Sequence, residues 1–131
     1  MTKPKKIILV VEDDLDLCKI LVSGLSKFNY DVYQAADGEE AVNSILEVKP
    51  DLILLDLLLP KLDGFQVLER LRGYPDPKIA ATKVVVLSNL YSSKDILMAR
   101  ALKIDEYFVK ANTKLEDVYA KVEEIFKGPK M

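Results

Sequence analysis

Four apolar runs of this chain each end at a side chain that can do chemistry. Ile7–Val11 leads into Glu12 and Asp13, Leu52–Leu55 into Asp56, Val84–Leu87 into Ser88, and Tyr107–Val109 into Lys110. If these runs are parallel strands of one open sheet, their C-terminal ends share an edge, where such folds bind ligands. Three carboxylates, a hydroxyl and an ammonium then converge. Two carboxylates about 4 Å apart repel by roughly 4 kcal/mol at an effective dielectric near 20. Three repel more than one lysine can offset, so the cluster requires a protonated carboxyl or a bound cation. Oxygen ligands without imidazole or thiolate favour a hard ion, Mg²⁺ before Ca²⁺. An open site of this kind leaves coordination positions for water and a phosphoryl oxygen, and an Asp beside it can take a phosphoryl group as an acyl phosphate. Asp56, fixed by a continuous apolar run, is the nucleophile candidate. Glu12 and Asp13 are the metal-placing pair, and Lys110 and the Ser88 hydroxyl would neutralise and hydrogen-bond the phosphoryl oxygens.

Other chemistries are excluded by composition. The chain has no histidine, which removes Ser-His-Asp triads, Cys-His pairs and histidine-ligated metals. Cys18 is the only cysteine, so neither an internal disulfide nor a CxxC site can form. Its place on a helix pattern reads as a packed thiol. Nineteen basic residues against 21 acidic ones leave a net charge of −2, which does not support broad attraction to nucleic acid or anionic membrane. The longest apolar run, Ile7–Val11, is far too short to span a bilayer and is followed at once by three acids. The expected location is cytoplasmic.

The elements that must position these residues follow from periodicity. The 131 residues fit one domain, with a core expected over about 5–127. Val32–Ala35 is a fifth, weaker strand run. Between the runs lie amphipathic stripes: Leu17, Leu21, Leu25 and Phe28; Ala41, Val42, Ile45 and Leu46; Phe65, Leu68 and Leu71; Leu97 and Ala101, after a cap at Ser92 or Ser93; and Leu115, Val118, Val122 and Ile125. Asp14 is expected to cap the first helix. Asp37 with Glu40 resembles a capping box, Asp63-Gly64 a turn and helix entry, and Gly128-Pro129 a stop. Gly73–Thr82 reads as a solvated loop. Five strands alternating with five helices give an α/β fold, (βα)₅, an open parallel sheet with helices on both faces.

Four segments, Ile7–Asp14 (IILVVEDD), Pro50–Gly64 (PDLILLDLLLPKLDG), Val84–Ser88 (VVVLS) and Asp105–Lys110 (DEYFVK), resemble the receiver domain of two-component response regulators. The resemblance covers nearly the whole chain, 1–131, as a single receiver domain. It implies the flavodoxin-like strand order 2-1-3-4-5. It implies Asp56 as phosphoacceptor, Glu12 and Asp13 as the acidic pair placing Mg²⁺, and the Leu58 backbone carbonyl as a further metal ligand. It further implies Ser88 as the hydroxyl that moves toward the phosphoryl group, Lys110 as the lysine that pairs with it, and Tyr107 as the aromatic switch residue. The fourth helix, fifth strand and fifth helix would form the output face. The donor would be a histidine kinase or a His-phosphotransfer protein. The partner would be an unknown output protein rather than nucleic acid or membrane, and the chain a monomer or a phosphorylation-dependent dimer.

Three departures from the family pattern carry expectations. Asn89 stands where a small residue is usual and would narrow access to the site. Ala111 stands where Pro is usual; a cis bond before Ala costs about 3 kcal/mol, so a trans bond and a differently placed Lys110 loop are expected. Leu58 and Leu90 are apolar where the family tunes hydrolysis, which predicts a long-lived phosphoform. The alternative is a pseudo-receiver, a binding module of the same fold that never carries phosphate. An enzyme acting on other substrates is not expected. An aspartyl-nucleophile phosphatase needs a second Asp where Leu58 stands, and Glu12–Asp14 would repel the phosphate of a flavin nucleotide.

Overall fold

Continuous apolar runs make strands that must be covered on both faces. The computed structural model, which describes residues 4–128, shows how that is met. β1 (Ile7–Val11) lies between β2 (Asp31–Ala35) and β3 (Leu52–Leu55), and β4 (Lys83–Ser88) and β5 (Glu106–Val109) extend the sheet. All pairings are parallel and the order is β2-β1-β3-β4-β5. Alternate residues of each strand point to opposite faces. Leu9, Val11, Ile53, Leu55, Val84 and Val86 join one core, and Ile8, Val10, Leu52, Leu54, Val85 and Leu87 the other.

The helices divide between these faces. α1 (Leu15–Ser26) and α5 (Leu115–Lys127) cover one through Cys18, Leu21, Leu25, Val118 and Val122. α2 (Gly38–Val48), α3 (Gly64–Arg72) and α4 (Ser93–Ala101) cover the other through Ala41, Ile45, Val67, Leu68, Leu71 and Ala99. Side chains satisfy the orphan amides at the starts of α1 to α4. Asp14, Asp37, Asp63 and Ser92 accept from the amides of Asp16 and Leu17, of Glu40, of Gln66 and of Asp95. Asp14 thus caps α1 as expected.

Four local expectations are corrected. The inward side of α4 is Ala99 with half-buried Ile96; Leu97 is 67% exposed and Ala101 faces solvent. Apolar residues surround this helix on most sides, so periodicity does not define its face. Phe28 falls beyond the end of α1 and instead packs its ring near Tyr30 and Tyr119. The reciprocal capping box closes at Asp63–Gln66, whereas Glu40 reaches the Ala36 amide rather than that of Asp37. Gly73–Thr82 contains a one-turn helix, Pro77–Ala80, capped by Asp76 and anchored by buried Ile79. Gly128 ends α5 with φ 75°, as a stop residue should; Pro129 lies outside the described residues.

Candidate functional site

The shared strand ends bring together the residues singled out above. Val11 and Leu55 are paired in register, so the residues that follow them, Glu12 and Asp56, emerge side by side. Their main chains are fixed by the Asp56 amide donating to the Val11 carbonyl and the Glu12 amide to the Ala35 carbonyl, each at 3.0 Å. Glu12, Asp13 and Asp56 each place one carboxylate oxygen within 4.8 Å of the others. Glu12 and Asp56 are buried at 2% and 4% exposure, while Asp13 stands in solvent.

Lys110, the residue after β5, reaches across to this pair. Its Nζ donates to Asp56 Oδ2 at 2.7 Å and lies 2.7 Å from Glu12 Oε1. The charge conflict expected of the cluster is therefore met partly by one ammonium bridging two buried carboxylates. Burial disfavours the ammonium, but the hydrogen bonds with Asp56 and Glu12 outweigh it and hold the Lys110 pKa above its ordinary value. The Glu12 pKa is raised as well, which for a carboxyl favours the neutral form. Burial, with the charge of Asp56, pushes it up to about 7 against the opposing bonds from Lys110 and the Asp14 amide. The Lys110–Ala111 peptide is trans, as expected, and Lys110 opens a short 3₁₀ turn, Lys110–Asn112. Despite the departure at Ala111, the lysine is delivered to the carboxylates.

The loop after Asp56 is held from several sides. The Leu58 amide donates to Asp56 Oδ1 at 3.1 Å, orienting the carboxylate. The Gly64 amide donates to the Leu57 carbonyl, and the Gly38 amide to that of Pro60. A Cβ on Gly64 would sit 2.5 Å from Leu57 Cα and 2.6 Å from the Asp56 carbonyl oxygen, so only glycine allows α3 to start this close to the site. The Leu58 side chain is 51% exposed beside it.

Ser88 ends β4, fully buried, in register with Val109 one residue before Lys110. Its Oγ accepts from the Leu90 amide at 3.4 Å. Tyr107 is buried at 9% exposure, and its hydroxyl donates to the Leu90 carbonyl at 2.7 Å. Burial, with Asp95 and Asp56 nearby, raises the Tyr107 pKa, so the hydroxyl remains a donor. Ser88, Leu90 and Tyr107 thus form a connected set at the start of the segment leading to α4. Asn89 is exposed. The sequence reading gave no notice of the direct Lys110–Glu12 pair, nor of Arg72, whose guanidinium donates to four backbone carbonyls.

The donor set has the chemistry of a hard-cation site: three carboxylates, no soft ligand, and solvent access through Asp13. Among the described residues, no helix is long and apolar enough to cross a membrane.

Comparison with known proteins agrees with this geometry. A family model described as the response regulator receiver domain matches residues 8–123. The probable transcriptional regulator ycf27 of Porphyridium aerugineum is 39% identical over 106 residues, 81% of this chain and 42% of that protein. The DNA-binding dual master transcriptional regulator RpaA of Synechocystis is 37% identical over 103 residues, 79% of this chain and 42% of that protein. The chain spans less than half the length of these curated relatives. Among solved structures, the receiver domain of Francisella response regulator 1452 superposes with a TM-score of 0.84 at 26% identity, covering 94% of this chain and 98% of that one.

Proposed function

The chain belongs to the response regulator receiver domain family of two-component signalling, and from that premise we propose that Asp56 accepts a phosphoryl group from a phosphohistidine on a histidine kinase or His-phosphotransfer protein. The observation that carries this reading is the convergence at one sheet edge. Glu12, Asp13 and Asp56 bring carboxylate oxygens within 4.8 Å of one another, and the Lys110 ammonium sits 2.7 Å from Asp56.

The roles follow from position. Glu12, Asp13, Asp56 and the Leu58 backbone carbonyl would hold Mg²⁺, which when bound neutralises charge on the phosphoryl oxygens. An Asp56 carboxylate oxygen forms the bond to phosphorus as the donor's P–N bond breaks, and the leaving imidazole keeps the electron pair and takes a proton. Lys110 is already within hydrogen-bond distance of Asp56 and can pair with the incoming charge. Ser88, one strand away, supplies a hydroxyl. Phosphorylation adds roughly two negative charges and new acceptors. Recruiting Ser88 would disturb its contact with Leu90, which Tyr107 also holds, and so bias the α4–β5–α5 face toward a partner-binding state.

Incubation with acetyl phosphate, with and without Mg²⁺, followed by intact mass measurement of wild type and Asp56→Asn, tests this. A single Mg²⁺-dependent adduct, lost in the variant, is the expected result. No adduct, from acetyl phosphate or from a kinase donor, would leave a pseudo-receiver whose partner binding is indifferent to Asp56→Asn. Decay of the adduct followed by mass should take longer than seconds, because neither Leu58 nor Leu90 can hydrogen-bond an attacking water.

A further inference from the structure

Arg72 is the last residue of α3, at the far end of the sheet from the acidic site. Its Nε donates to the Leu102 carbonyl at 2.8 Å, Nη1 to those of Ala80 at 2.7 Å and Thr82 at 2.8 Å, and Nη2 to that of Lys103 at 3.0 Å. Four of the five guanidinium N–H groups thus end on main-chain carbonyls. Leu102 and Lys103 follow α4, where the terminal carbonyls lack intrahelical partners and favour a cation. Ala80 and Thr82 lie just before the first residue of β4, Lys83. One side chain therefore ties the end of α4 to the start of the neighbouring strand.

The apolar packing of α4 is thin, with half-buried Ile96 and Leu102 set against the core beside it. Ala99 is its one fully buried residue, and Leu97, Met98 and Ala101 are exposed. A helix with so little buried apolar surface takes its position from the ties at its ends. At its leading end the tie is the Tyr107 hydroxyl on Leu90, part of the set around Ser88. At its trailing end Arg72 ties Leu102 and Lys103, and just beyond them Asp105 pairs with Val84, its amide donating to the Val84 carbonyl and its Oδ2 accepting from the Val84 amide, each at 2.8 Å; neither tie touches that set.

We infer that Arg72 is the fixed pivot of α4: the helix loosens from its Ser92 end when the Tyr107–Leu90 tie yields, while the Leu102–Lys103 end stays anchored to β4. This deepens the switch reading by naming the hinge about which α4 would move. It resembles no bound-ligand role: the guanidinium is occupied by backbone.

Amide hydrogen exchange of the unphosphorylated chain in metal-free buffer tests it, independently of whether Asp56 takes phosphate. In wild type, Leu102 and Lys103 should exchange more slowly than Leu97. Arg72→Lys keeps the charge but cannot span four carbonyls; it should speed Leu102 and Lys103 by roughly tenfold while leaving the strand amides Leu54 and Val86 unchanged. Tyr107→Phe should speed Leu97 and leave Leu102 and Lys103 protected. Unchanged exchange at Leu102 and Lys103 in Arg72→Lys overturns the inference. So does equal acceleration at Leu54 and Val86, which makes Arg72 a brace of the whole fold. Should Arg72→Lys not fold, Tyr107→Phe decides: loss of protection along all of α4, Lys103 included, means no fixed end exists.

Discussion

Glu12 is buried beside a second carboxylate and shares one ammonium with it. Its pKa in the fold, about 7, lies above its ordinary 4.5. Between those values the folded chain holds more protons than the unfolded one, so stability falls as pH rises. The contribution of protonated Glu12 is complete below about 4.5 and lost as pH passes about 7, a difference on the order of 3 kcal/mol at most. In EDTA, the urea midpoint of wild type should therefore decline from pH 5 to 8, apart from other titrating groups. Glu12→Gln, which mimics the protonated form, should flatten that decline; parallel curves for the two proteins would remove Glu12 as its source. The identities at this site were legible because each reactive residue interrupts an apolar run. The Lys110–Glu12 contact was not, since it depends on where a long side chain settles among two acceptors. Arg72 was invisible for a different reason: its partners are carbonyls, which every residue carries.

At the scale of elements, the central strands and their helices could be read because burial on one or two faces imposes a period. β1 and β3 were located to the residue, and the α5 stripe matched its buried Val118 and Val122. α4 defeats the same reasoning. Ile96, Leu97, Met98, Ala99 and Ala101 are all apolar, so several faces fit, and only the packed helix reveals that Ala99 points inward. The distinction is testable. Leu97→Ser, at an exposed position, should change stability by less than about 0.5 kcal/mol. Ala99→Leu forces extra methylenes into a site with no free surface and should cost roughly 1–3 kcal/mol. Urea unfolding of both variants checks the order; a larger loss for Leu97→Ser would restore the face expected from spacing. The connection Gly73–Thr82 shows the complementary failure. Pro75 and Pro77 suggested irregular chain, yet Pro at the first helical position and Asp76 as its cap start a helical turn that buries Ile79.

The whole molecule adds something no element holds alone: the acidic site exists only when β1 and β3 lie side by side. Glu12 and Asp13 follow β1 and Asp56 follows β3, with α1, β2 and α2 between the two strands in the chain. The sequence showed that apolar runs end at reactive residues, and parallel pairing then implied convergence; the family resemblance supplied the order of strands. A cation held by all three carboxylates can bind the folded chain far better than the unfolded one, where the same groups are dispersed. Mg²⁺ should therefore stabilise the protein by linkage, by about 1.4 kcal/mol at ten times its dissociation constant. Asp13 is exposed and makes no bond to Lys110, so Asp13→Asn should not lower metal-free stability, and should raise it where repulsion from Glu12 and Asp56 is relieved, while removing much of the Mg²⁺ increment. Urea unfolding at constant ionic strength, with Mg²⁺ or EDTA, measures both quantities. An equal Mg²⁺ increment in wild type and Asp13→Asn would mean that the ion acts through general screening, and that the three carboxylates do not work as one site.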